Sequence, residues 1–224
     1  MTNSPHDDDE ALDPAAMLAL ANAQQRSVAS QINSFAWIIT GVWGIAWLVG
    51  FGAIWLIDGL APAFALPAGV AWPTLGVCLA VAVATSIVLG IRSTRGVKSS
   101  PSSAFTGAVY GSTWSISMVG IWILGSSMIA QGMSAEIAAF YFTSAFVLMT
   151  GVMMLVSAAI WQTRPSLYVG IWLVVIAAVA PLFGVPGNYL FLALSGGLVF
   201  LLFSIVLLVH ASRLRRRLQG SDRA

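Results

Sequence analysis

Charged side chains are scarce in this chain, at 8% of its residues, and none falls inside its long apolar runs. A soluble globular domain carries roughly a quarter, so a soluble fold of this size could not hide the apolar surface that remains. Cysteine is scarcer still. Cys78 stands alone in an apolar run, so neither a disulfide framework nor a thiolate metal site can form within one chain. The two histidines, His6 and His210, and every Asp and Glu lie outside the runs. An intramembrane protease or a proton-coupled carrier needs an ionisable group at depth, so both are disfavoured. A His-plus-carboxylate metal set, a Gly-rich phosphate loop and a nucleotide-binding domain are also missing. The expectation is a protein that is not an enzyme or a self-energised pump and that uses no cofactor and no metal.

The net charge of +2 and pI near 9.0 raise the question of a nucleic-acid partner. The basic residues sit beside apolar spans instead of forming a basic domain, which excludes that partner class. The N-terminus, MTNSPHDDDE, lacks the basic flank and early apolar core of a secretory signal. The first apolar span is therefore expected to do the targeting.

What the chain does have is apolar length: 58% hydrophobic residues and a mean hydropathy of +0.89. Six segments, 35–57, 70–91, 107–130, 137–160, 167–183 and 189–209, cover or nearly cover a hydrocarbon core of roughly 30 Å at about 1.5 Å per residue. The fold class expected is all-α, a polytopic transmembrane bundle of six spans preceded by a cytoplasmic N-terminal helix. The fifth span carries Pro181 near its end and is expected to kink there or stop against the turn at 184–188.

Arg26 precedes span one, Arg92, Arg95 and Lys98 follow span two, Arg164 follows span four, and Arg213, Arg215, Arg216, Arg217 and Arg223 follow span six. All ten basic residues therefore lie on one side. The opposite loops carry only Asp58 and Glu136 as charges. The positive-inside rule makes the basic side cytoplasmic, with both termini there in a multi-pass protein of the cell membrane. Trp37, Trp55, Trp72, Trp161, Tyr168 and Tyr189 fall near span ends, where amphipathic rings prefer the headgroup layer.

Outside the spans, residues 1–12 read as a disordered acidic tail, with too little apolar surface to offset ordering. Residues 13–33 read as a cytoplasmic or interfacial helix, with Asp13 as N-cap and Pro14 at the first helical position. The membrane domain occupies 34–210, and 211–224 forms a basic cytoplasmic tail. Spans one and three share a weak echo, GVWGIAWLVG at Gly41–Gly50 and GSTWSISMVG at Gly111–Gly120. If real, it points to an array of helical hairpins.

Two polar rows are candidates for a polar path or ligand site. Thr106, Tyr110, Thr113 and Ser117 are spaced four, three and four along span three; Thr143, Thr150 and Ser157 repeat every seven residues on span four. The plainer alternative is that these hydroxyls satisfy their own helix carbonyls or glue neighbouring helices. Small residues at Gly107 and Gly111, and at Ala82, Ser86 and Gly90, suit close helix approach. Met149 and Met153 form a thioether pair, but no His, Cys or second Met motif completes a copper site, so they read as core filler. The Arg213, Arg215, Arg216 and Arg217 cluster could contact anionic lipid headgroups, or could serve only as a topology determinant.

The stretch ALANAQQR at Ala19–Arg26, leading into GVWGIAWLVGF at Gly41–Phe51, resembles a set of uncharacterised bacterial integral membrane proteins with a helix before the first span. The overall plan is similar to the permease subunits of ABC-2 type exporters. That resemblance implies a cytoplasmic loop between spans two and three able to dock on an ATPase. In that family an external re-entrant region commonly joins the last two spans; here residues 184–188 stand in its place.

Two functions are thus open. One is a membrane-embedded, permease-like transport component lacking its own ATPase, with spans three and four lining the path. The other is a non-transporting anchor or regulator that binds a cytoplasmic partner through its N-terminal helix and basic tail. Six spans with polar stripes exceed what an anchor needs, which tips the sequence toward transport. The partners expected are membrane lipids and a cytoplasmic protein or ATPase; the oligomeric state is not readable.

Overall fold

A computed structural model describes the backbone of residues 14–94 and 101–221, and the side chains of Met17, 35–92, 101–209 and Ser212. The acidic tail, the serine-rich connection at 95–100 and the side chains of the arginine tail lie outside the described residues. Within the described residues the fold is helical, with a single isolated bridge, Leu60 to Phe64, in the first loop. Six stretches are long and apolar enough to cross a bilayer: Phe35–Trp55, Ala68–Arg92, Pro101–Ala130, Ala135–Trp161, Arg164–Phe183 and Gly187–Val209. The chain is an all-α, multi-pass membrane protein.

Helix α1, Pro14–Trp55, runs unbroken for 42 residues. The helix expected over 13–33 is therefore the first half of the helix that makes span one. No glycine or proline occurs between Pro14 and Gly41 to stop it. Helices α2 (Ala68–Thr94), α3 (Pro101–Ala130), α4 (Ala135–Trp161) and α5 (Arg164–Val179) follow. Ser134 caps α4 through a hydrogen bond from the Ile137 amide at 3.3 Å.

Regular α geometry then fails over a short stretch. A 3-10 turn, Ala180–Phe183, replaces the end of α5 at Pro181. Gly184 follows with φ of +65°, a conformation that favours glycine. The short α6 (Gly187–Leu192) passes into a π-helical turn, Ala193–Leu198, and then into α7, Val199–Ser221.

Packing divides the bundle into two halves. In the first, α1 is flanked by α2 on one side and by α6, the π turn and α7 on the other. In the second, α4 is flanked by α5 and α3. Glycine sets the closest crossings in each. A Cβ on Gly197 would lie 2.5 Å from the Leu48 backbone nitrogen, and one on Gly44 2.9 Å from the Leu201 nitrogen. Gly151 and Gly170 serve α4 and α5 in the same way, 2.9 Å from the backbone nitrogens of Val174 and Leu155. Backbones approach this closely only where no side chain intervenes, and dispersion between them replaces the hydrophobic driving force that lipid removes.

The echo between spans one and three does not extend to packing. Gly41 and Gly50 press on Ser204 and Leu75, whereas Gly107, Gly111 and Gly120 on α3 have nothing within 4 Å of an added Cβ. Tyr189, near the start of the sixth span, is buried against other helices, edge-on to Trp72 with ring centroids 6.5 Å apart.

Candidate functional site

The row on α3 lies on the strip of that helix turned toward α4. Thr106, Tyr110, Thr113 and Ser117 are all half-buried, and α4 is the one helix on which α3 packs substantially. Three of the four have a described bond. Tyr110 reaches across: its hydroxyl donates to the Met153 carbonyl at 3.1 Å, and its ring meets Trp161 edge-on at 4.7 Å. The threonines do not reach across. Thr106 donates to the Ser102 carbonyl at 3.0 Å and Thr113 to the Val109 carbonyl at 2.8 Å, each one turn back on its own helix.

The row on α4 behaves alike. Thr143 donates to the Ala139 carbonyl at 2.7 Å and Thr150 to the Phe146 carbonyl at 2.8 Å; Ser157 is half-buried. A hydroxyl bonded to its own backbone presents little free donor capacity to a passing solute. The second crossing bond between these helices, Tyr141 hydroxyl to Ile121 carbonyl at 3.2 Å, belongs to neither row. Met153, which accepts from Tyr110, is buried at 3% exposure. Its partner in the expected pair, Met149, is half-buried. Among the described residues no group of three His, Cys, Asp or Glu side chains comes together. The Arg213, Arg215, Arg216 and Arg217 side chains, candidates for lipid contact, are outside the described set.

Three further polar features were not singled out by sequence reasoning. Asn188 is completely buried, and neither its amide oxygen nor its amide nitrogen has a hydrogen-bond partner. Its sequence context, Gly-Val-Pro-Gly-Asn, reads as a turn, and turn residues are ordinarily solvated. Ser144 Oγ is likewise buried and unpartnered, and it borders an apolar hollow between α4 and α5 with Leu148, Ala177 and Pro181. Trp172 Nε1 on α5 donates to the Ser195 carbonyl in the π turn at 2.9 Å. Leaving a buried polar group unpaired costs about 1–3 kcal/mol, and Asn188 has two such atoms where Ser144 has one.

No family model matches the chain, and no curated protein or solved structure shows significant similarity to it.

Proposed function

We propose that this chain is the membrane-embedded component of a complex and that it works with a cytoplasmic protein gripped through the N-terminal half of α1. The observation that carries this reading is the unbroken helix. Phe35–Trp55 suffices to cross the bilayer, and residues 14–34 continue the same helix for as many residues again, roughly 30 Å at 1.5 Å per residue. A helix of that length rigidly joined to a span transmits force or position, which a loosely tethered amphipathic segment would not. By the positive-inside argument the extension and the C-terminal part of α7 both project into the cytoplasm at the cell membrane.

The transport version, a permease-like component whose energy comes from a partner ATPase, is favoured by one further observation. Among the described residues, the substantial packing between the two halves lies around the end of α5, the 3-10 turn, α6 and the π turn. The regulator version draws support from the hydroxyl rows, whose threonines are committed to their own helices.

The test is crosslinking and pull-down of the intact protein from its native membrane, alongside Ala23→Pro, which breaks the extension without touching the spans. The expected result is a partner captured by the wild type and lost from the variant, with insertion unchanged. Equal capture by both would refute the docking role of α1. An ATPase as the captured protein favours transport, and a transcription or signalling protein favours regulation.

A further inference from the structure

Every stretch of non-α geometry after α5 falls where the two halves meet. The 3-10 turn Ala180–Phe183, Gly184, α6 and the π turn Ala193–Leu198 follow one another without an intervening long helix. Short 3-10 or π segments inside a helical path are places where backbone bending is concentrated. The contacts between halves are also local. Phe183 stacks on Phe191 with centroids 4.4 Å apart, Trp172 bonds to Ser195, and Leu173, Ile176, Ala177 and Ala180 share one apolar core with Leu192 and Ala193.

Beyond this joint, toward the side that bears the chain termini, the described residues of the two halves share no substantial packing. Helix α7 packs on α1 and the π turn, and α2 packs on α1; neither has substantial packing on the second half. On that side α5 and α7 each carry side chains that no other helix covers, Tyr168 at 66% and Val206 at 61% exposure. At the closed end sits Asn188, buried with both amide atoms unpaired. An unpaired amide inside the closed end disfavours closure and is relieved once that end admits water.

We propose that the two halves rock about the segment 180–198, so that the arrangement seen here, parted on the terminal side and closed around Asn188, exchanges with one closed on the terminal side and hydrated at Asn188. The device needs no partner and is independent of the docking role of α1. Closed packing holds the present state through the core residues and the Trp172 bond; the buried amide opposes it. Both states are then populated in the resting protein.

The experiment is a distance measurement by pulsed electron spin resonance in lipid nanodiscs, with spin labels at Tyr168→Cys and Val206→Cys in a Cys78→Ser background. The full chain is used. The expected result is two distance populations. Asn188→Leu, which replaces the unpaired amide by an apolar group of the same branching, should shift their ratio about tenfold toward the longer distance. Asn188→Ala tests the same amide without steric demand and should shift the ratio in the same direction. A single distance in the wild type would overturn the proposal. Two distances whose ratio ignores both replacements would overturn the role of Asn188 and with it the device as stated.

Discussion

Trp172 on α5 and Ser195 in the π turn are joined by a 2.9 Å hydrogen bond that connects the two halves of the bundle. Four other side-chain bonds between helices lie within a half. Trp43 Nε1 donates to Ser86 Oγ at 3.0 Å, and Ser204 Oγ to the Trp37 carbonyl at 2.7 Å, in the first. Tyr110 and Tyr141 tie α3 to α4 in the second. At the joint itself the Trp172 bond adds to apolar contact, Phe183 on Phe191 and the core around Leu173, Ile176 and Leu192.

Replacing Trp172 by Phe keeps a ring in place and deletes the donor. Interhelical bonds in membranes contribute about 0.6 kcal/mol on average and up to roughly 1.7. The variant should lose stability within that range in a reversible unfolding assay in bicelles. A loss indistinguishable from zero would show that water or another donor replaces the indole at the Ser195 carbonyl.

Glycine crossings give a sharper contrast. A Cβ at Gly197 meets backbone of Leu48 at 2.5 Å, and backbone cannot rotate aside, so Gly197→Ala must push α1 and the sixth span apart. Overpacking of this kind costs about 1–3 kcal/mol. Gly111→Ala places its methyl in open space on α3 and should leave stability within about 0.5 kcal/mol. The same assay decides both. Equal effects at the two sites would contradict the packing described for the sixth span.

That contrast also marks what could be read from sequence. The six spans were legible because a charge-free apolar run of sufficient length has few alternatives in water. The pairing of helices was not, because a side chain facing lipid and one facing another helix are equally apolar. Gly41 and Gly111 look alike as letters, yet one presses on Ser204 and the other touches nothing. The continuity of α1 was not legible because the chain turns from mixed to apolar composition near residue 34, where the backbone has no break. The hydroxyl rows were legible as faces, since spacing fixes direction, but spacing does not say whether a hydroxyl turns outward or bonds back to a carbonyl four residues before it. Asn188 was visible only as part of a turn.

The hydroxyl rows yield a third expectation. Thr113→Val removes a bond to the helix's own Val109 carbonyl and keeps the shape, so stability and any transported or bound solute should be indifferent to it. Tyr110→Phe removes the bond to Met153 across the α3–α4 interface while keeping the ring against Trp161 and Trp114. It should cost about 0.6 kcal/mol. A larger effect of the valine than of the phenylalanine would give the threonine a task beyond its own helix and restore the row as a path.

The arginine tail tests orientation and lipid binding together. Arg213, Arg215, Arg216 and Arg217 follow the last span closely enough to bias topology, but they are not alone. Replacing all four by Gln leaves Arg26, Arg92, Arg95, Lys98, Arg164 and Arg223, still confined to one side of a six-span chain. Orientation should therefore survive. A cysteine at Glu136 should be labelled from outside sealed cells, and one at Ser99 should not, in both the parent and the quadruple variant. Attraction to anionic headgroups should fall, because each basic residue near the surface contributes about 1 kcal/mol. That contribution decays over about 8 Å at physiological ionic strength, so the difference between parent and variant should shrink as salt is raised. The readout is the amount of anionic lipid that co-purifies with each protein at low and high salt. Labelling at Ser99 in the variant alone would make the tail the dominant topology signal. Equal lipid retention at low salt would leave the cluster with orientation as its only remaining task.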